Sequence, residues 1–205
     1  MELYISFDFP DLDQALAIAE RVEPYATGFD VGSLLLYKYG VQAIEQFRTQ
    51  FKNKIINVDA KLVVHGKETV ALFAQAGADS ITVMGGTRKE VIHAACTQAH
   101  TMNKRVLLDV SNASAYGQIA LEAQSMGADG LLLRTMYDAN EQLLFKDQWT
   151  MIRGNTPLPI YLTGKISLEN IDNIREIQPN GVFVGRAITQ ADNPQEVARL
   201  LKEKM

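Results

Sequence analysis

A single cysteine, Cys96, stands in the whole chain. No intrachain disulfide can form, and its place inside an apolar pattern of helical period makes it a small core filler in a reducing compartment. Histidine is almost as scarce, at three residues; His93 and His100 lie seven apart on one helical segment, with no third ligand beside them for a metal. Positive charge is not in excess either. Twenty Lys and Arg against 24 Asp and Glu give a net charge of −4, and the bases are scattered, which excludes a surface built for nucleic acid. Long apolar runs are missing: none approaches the roughly 18 residues of a spanning helix, and MELYISFDFP has neither the basic flank nor the cleavage pattern of a secretory leader. A cytoplasmic protein with no membrane and no nucleic-acid partner is expected.

What is present is regular. With 47% hydrophobic and 21% charged residues, the 205-residue chain reads as one soluble domain, 1–205. Short aliphatic and β-branched runs at 3–7, 28–31, 54–59, 80–84, 105–110, 130–134, 159–163 and 181–185 alternate with segments of helical period at 12–22, 39–50, 66–76, 87–102, 115–126, 140–152, 167–175 and 193–204. Strand then helix, eight times, predicts an α/β fold, a compact (β/α)₈ TIM barrel. Asp11, Thr87 and Ser167 are placed as helix N-caps, and GAD at 77–79 and 127–129 ends a helix on glycine before the next strand. Met84, Met102, Met126 and Met136 read as gap fillers, and Trp149 as a helix residue packed against the barrel.

Function on this architecture belongs to the C-terminal ends of the strands. Those ends carry Asp8, Asp30, Asp59 with Lys61, Thr82, Asp109, Arg134, Thr163-Gly164-Lys165 and Gly185-Arg186. An acid and an amine two apart on a strand point to the same side, so Asp59 and Lys61 reach one ligand. A lone acid at a strand end is commonly a helix cap or a solvated charge. Three aspartates converging with a lysine are a different matter, because crowded carboxylates repel unless Lys61 or a divalent ion neutralises them. With no His or Cys beside the carboxylates, Mg²⁺ suits them better than zinc. At the last two strands a glycine followed by a base, Gly164-Lys165 and Gly185-Arg186, makes a cradle for phosphate.

These residues carry a family resemblance over essentially the entire chain, from LYISFDFPD to VGRAITQADNPQEVARLL. Asp8, FDVGSLLL with Asp30, VDAK, ADSITV, TGK and VGRAI together resemble the orotidine 5′-monophosphate decarboxylase suprafamily, whose compact barrels include 3-hexulose-6-phosphate synthase and 3-keto-L-gulonate-6-phosphate decarboxylase. The resemblance implies Lys61, Asp59 and Asp8 as catalytic residues and Gly164, Lys165, Gly185 and Arg186 as the phosphate site. It also implies Asp109, Arg134 and Thr163 as substrate contacts, and Asp30 with Asp59 as the Mg²⁺ ligands. Asp30 is the shorter homologue of a glutamate in the sugar-phosphate enzymes. Arg134 stands where those enzymes have a histidine, and guanidinium cannot shuttle protons at neutral pH. The suprafamily motif is Asp-x-Lys-x-x-Asp, and its last position here is Val64. In the suprafamily that aspartate reaches into the partner's site, so a homodimer across the third strand's end is expected, with His65 next to Val64 read as a surface or packing residue.

The chemistry implied is an enediolate formed beside the carbonyl of a ketose 5- or 6-phosphate, with Mg²⁺ as Lewis acid and Lys61 offsetting the developing charge. Capture of formaldehyde makes the chain an aldol-type lyase, and loss of CO₂ makes it a decarboxylase. A decarboxylase needs a positioned acid, and Arg134 is not one. The reading therefore favours a hexulose-6-phosphate synthase-like lyase, with a decarboxylase, or a barrel of little turnover that binds a phosphorylated ligand, as the alternatives.

Overall fold

The structure, a computed structural model, describes residues 1–111, 113–134 and 142–205. Met136 and the first two positions of the 140–152 segment lie outside the described residues. Eight strands, β1 (Glu2–Phe7), β2 (Gly28–Val31), β3 (Ile55–Leu62), β4 (Ser80–Met84), β5 (Arg105–Asp109), β6 (Gly130–Arg134), β7 (Ile160–Thr163) and β8 (Gly181–Val184), pair in parallel and in chain order into a closed barrel. Around it lie α1 (Leu12–Val22), α2 (Ser33–Tyr39), α3 (Val41–Gln50), α4 (Gly66–Gln75), α5 (Lys89–Thr101), α6 (Tyr116–Ala123), α7 (Gln142–Arg153), α8 (Ile171–Glu176), α9 (Arg186–Thr189) and α10 (Pro194–Lys204). The expected (β/α)₈ barrel is the fold observed.

The strands form where they do because both faces find apolar cover. On β1, Leu3, Ile5 and Phe7 point out beneath the helices, and Tyr4 points into the barrel. Phe7, Phe29, Phe47 and Phe51 meet under α3 with ring centroids as close as 4.6 Å. Each such fully buried side chain contributes about 1.5–3 kcal/mol. At the N-terminal end the barrel interior is filled by Tyr4 stacked on Phe183 at 4.5 Å, Tyr161 edge-on to both, and Leu107 and Leu132. Trp149 and Cys96 are buried as expected, and burial, then Asp129, pushes the Cys96 thiol up to about 12.

Four reciprocal locks tie that same end. The residue before each even strand bonds with the second residue of an odd strand, or with the first in the case of β7. Leu3 N donates to Thr27 Oγ1 (3.1 Å), Ile56 N to Asp79 Oδ2 (2.9 Å), Val106 N to Asp129 Oδ2 (2.8 Å) and Ile160 N to Asn180 Oδ1 (2.9 Å). In return the backbone N–H of Thr27, Asp79, Asp129 and Asn180 donates to the carbonyl of the same partner at 2.7, 2.8, 3.0 and 2.9 Å. The GAD repeats are therefore turn and lock in one, with Gly77 and Gly127 at φ +108 and +92.

Several boundaries differ from the sequence reading. The 39–50 segment is α3, which begins only at Val41 because Gly40 takes φ +58 and ψ −138, a conformation no helix contains, and a separate helix not expected from sequence, α2, precedes it at Ser33–Tyr39. Strand β3 runs on to Leu62, and α9 follows β8 directly. Asp11 caps α1 as expected, accepting from Gln14 N at 2.9 Å, but Thr87 and Ser167 are not caps. The Thr87 hydroxyl donates to Val63 O at 2.8 Å, and Ser167 sits in a turn three residues before Asn170, the residue that precedes α8. The cap missed in the sequence is Asn193, which accepts from Glu196 N ahead of Pro194.

Candidate active site

The C-terminal ends of the strands surround a cleft of about 720 Å³ lined by Ser6, Asp8, Phe9, Asp30, Asp59, Arg134, residues 163–167, Phe183, residues 185–187, Thr189 and Gln190. Its acids come from β1 to β3 and its bases from β6 to β8, so the cleft is polarised across its width.

On the acidic side, Asp8 leaves β1 and accepts from Leu34 N at 3.1 Å and Ser33 Oγ at 3.3 Å, which ties the start of α2 to the cleft. The two strand exits touch here. A Cβ on Gly32 would lie 2.5 Å from Phe7 O, so this approach requires glycine. Asp30, inside β2, is only 5% exposed and accepts from Asn57 Nδ2 at 2.7 Å. Burial, then the charge of Asp59, pushes its carboxyl up to about 7, against the pull of Asn57, Ser6 and Lys61.

Asp59 and Lys61 converge as an ion pair, yet not by regular strand alternation. The register of β3 on β4 shifts between Val58 and Leu62, and Lys61 adopts φ +47. The irregularity is held by Thr82 of β4, whose Oγ1 accepts from Lys61 N at 2.9 Å and lies 3.1 Å from Asp59 Oδ1, to which it donates. Lys61 itself is not among the lining residues; its ammonium reaches the cleft through Asp59.

On the basic side the chain leaves β7 through two left-handed residues, Gly164 (φ +90) and Lys165 (φ +42). Asn170 holds this exit, donating to Lys165 O at 2.7 Å and accepting from Ser167 N at 2.9 Å. Gly185 and Arg186 leave β8 into α9. Arg134 and Thr163 are register partners on β6 and β7 and both line the cleft.

Asp109 is not brought into this wall. It is 1% exposed, does not line the cleft, and accepts from Ser111 N at 2.9 Å. Val64 and His65 also stand apart: Val64 is 52% exposed, and His65 takes φ +52 ahead of α4. Ser6, Phe9, Thr189 and Gln190 line the cleft without having been singled out from sequence. The signal for Ser6 was available, because it lies two residues after the inward-pointing Tyr4 on β1 and period two puts both on the inner side.

Two neighbouring carboxylates, Asp30 with its pKa raised by burial and then by the charge of Asp59, form a hard-oxygen donor set that fits Mg²⁺. Among the described residues no group of three or more His, Cys, Asp or Glu could hold a metal ion. The bases on the opposite side suit a phosphate.

The sequence pattern of the orotidine 5′-phosphate decarboxylase / HUMPS family matches residues 1–201. A 3-hexulose-6-phosphate synthase of Bacillus subtilis (strain 168) is 26% identical over 205 residues, spanning 99% of this chain and 98% of that protein. The crystal structure of 3-hexulose-6-phosphate synthase from Salmonella typhimurium superposes with a TM-score of 0.91 at 27% identity, over 100% of this chain and 98% of that one. KGPDC from Streptococcus mutans shares the fold, with a TM-score of 0.88 at 21% identity over 98% and 95% of the two chains.

Proposed function

This chain belongs to the orotidine 5′-phosphate decarboxylase / HUMPS family, and from that membership we propose that it is a sugar-phosphate lyase of the 3-hexulose-6-phosphate synthase type, residues 1–205 acting as one barrel domain. The observation that carries the reading is the polarised cleft, with Asp8, Asp30 and Asp59 on one side and Gly164-Lys165 and Gly185-Arg186 on the other. A pentulose phosphate spans it with the phosphate among the bases and the ketone end among the acids.

In the reaction proposed, a carboxylate of the acidic wall takes the C1 proton of ribulose 5-phosphate. The enediolate so formed attacks the carbon of formaldehyde, a C–C bond forms, and the new alkoxide takes up a proton. The reverse sequence releases formaldehyde. Lys61, held against Asp59, supplies positive charge where the enediolate oxygen develops. Mg²⁺, held by Asp30 and Asp59, supplies Lewis acidity when bound. Arg134 at the end of β6 is a fixed cation that orients the ligand and does not exchange protons.

A second copy of the chain is the proposed cover for Val63 and Val64, which are 49% and 52% exposed beyond β3, and for Leu34 and Tyr37 on the neighbouring α2. Gel filtration at the mass of a dimer supports that assembly, and a monomer removes it. No helix among the described residues is long and apolar enough to cross a membrane, and the buried thiol of Cys96 fits a cytoplasmic setting.

The test is formaldehyde-dependent consumption of ribulose 5-phosphate in the presence of Mg²⁺. Wild type should turn over, and Asp59→Asn and Lys61→Ala should each lose about 100-fold or more in kcat. A wild type no faster than these variants sinks the lyase reading. Release of CO₂ from a 3-keto-gulonate 6-phosphate would replace it with the decarboxylase.

A further inference from the structure

Four neighbouring strands each contribute one polar side chain to a continuous row inside the barrel. Ser6 of β1 stands in register with Asp30 of β2, Asp30 with Asn57 of β3, and Asn57 with Ser80 of β4. Interior barrel positions are ordinarily filled by Val, Ile and Leu, so a buried row of this kind calls for a physical reason.

The bonds along the row have a direction. Ser80 Oγ donates to Asn57 Oδ1 at 2.6 Å, and Asn57 Nδ2 donates to Asp30 Oδ1 at 2.7 Å. With its oxygen taken by the Ser80 hydroxyl, the Asn57 amide has one orientation left, and that orientation turns its NH₂ onto Asp30. Asn57 is 0% exposed and Ser80 2%, and neither lines the cleft. Asp30 does line it. Whatever Asn57 and Ser80 do to a ligand therefore passes through the Asp30 carboxylate. The torsion that turns a carboxylate about its own axis is broad and weakly restrained, so an aspartate in a cleft presents either oxygen, or both, unless a neighbour fixes it.

We infer that Asn57 and Ser80 are positioning residues, which hold Oδ1 of Asp30 and so set the rotation in which its carboxylate is offered to a divalent cation in the cleft. This rests on the lyase reading for its substrate, but the arrangement itself is a property of the β2–β3–β4 row. It explains how a short acid inside a strand, and not at its exit, serves the cleft: the row fixes the rotation of its carboxylate. Bonds to the partners of a ligating group ordinarily matter to metal affinity almost as much as the ligand itself.

The experiment uses the double variant Asn57→Leu/Ser80→Ala, which keeps the layer filled and leaves no orphaned polar atom on β3 or β4. The companion exchange Asp30→Asn/Asn57→Asp keeps a hydrogen-bonded pair but moves the carboxylate one strand over. Melting temperature, Mn²⁺ affinity by electron paramagnetic resonance with ribulose 5-phosphate present, and formaldehyde-dependent turnover are measured on the full chain. Both variants should melt near wild type, bind Mn²⁺ about 10–100-fold more weakly and lose kcat by a similar factor. A double variant that binds Mn²⁺ and turns over like wild type overturns the inference, and so does an exchange variant with restored Mn²⁺ affinity, since the pair would then serve the fold alone. A wild type that binds no Mn²⁺ overturns it too. A wild type that binds Mn²⁺ without turnover, with the affinity lost in both variants, removes the lyase reading and upholds the positioning role.

Discussion

The backbone N–H of Lys61 donates to Thr82 Oγ1 at 2.9 Å, so the left-handed residue at the mouth of β3 is placed by a hydroxyl on β4. The same oxygen donates to Asp59 Oδ1, and one side chain thereby sets both members of the ion pair. Thr82→Val keeps the shape and removes the bonds. It should cost about 1–3 kcal/mol of stability and at least tenfold in kcat, while Thr82→Ser should recover most of both. Chemical denaturation and steady-state rates on the same samples check this.

Asp30 gives the folding stability a pH dependence of unusual sign. Its carboxyl holds a proton up to about pH 7 in the folded chain but only below its ordinary 3.8 when unfolded. Between those limits the folded state carries the extra proton, so stability is favoured as pH falls from about 7 toward 4 and loses that advantage as pH rises through 7. The slope for one proton is at most about 1.4 kcal/mol per pH unit. Urea midpoints from pH 5 to 8 should show wild type losing stability relative to Asp30→Asn as pH rises. Parallel curves would mean that Asp30 does not titrate there.

Gly32 is a steric requirement. A methyl group there would meet Phe7 O at 2.5 Å and Asp8 Cα at 2.7 Å, both atoms of the backbone. Gly32→Ala should push α2 away from the β1 exit, break the Leu34 N–H bond to Asp8, and destabilise by more than about 2 kcal/mol. A thermal melt unchanged from wild type would contradict this.

Lys165 and Arg186 should divide their effect toward binding. Each change to alanine is expected to raise the KM for ribulose 5-phosphate about 10–100-fold, the worth of a charged hydrogen bond, with a smaller effect on kcat. Raised ionic strength should weaken wild type in the same direction. Equal losses in kcat and kcat/KM would place these bases in the transition state instead.

The strand order was legible because each strand is a short run rich in β-branched or aliphatic residues between turn residues, and Asp11 was legible as a cap because an apolar helical period begins right after it. Gly40 was visible too, but a glycine inside a helical period is often tolerated, and only its φ of +58 makes it a break. Asp59 and Lys61 were joined correctly for an incomplete reason: regular alternation predicts the meeting, and the structure reaches it through a register shift that no spacing rule contains. Asp109 obeys the strand-end rule in sequence yet is turned onto Ser111 N, because the position of a residue along a strand does not say how deeply its tip is buried. Asn57 and Ser80 escaped notice as single polar residues within apolar runs, although Asn57 precedes Asp59 by two and so shares its side of the strand.

The locks at Thr27, Asp79, Asp129 and Asn180 divide the barrel into four quarters, each closed on itself at the end far from the cleft. Losing one of them, as in Asn180→Ala, should cost about 1–3 kcal/mol and leave kcat alone. Their placement separates two kinds of inheritance within one chain. Residues at the closed end are answerable to folding, and residues at the open end are free to be exchanged for new chemistry, so a lineage carrying this base can change its substrate without first having to relearn its shape.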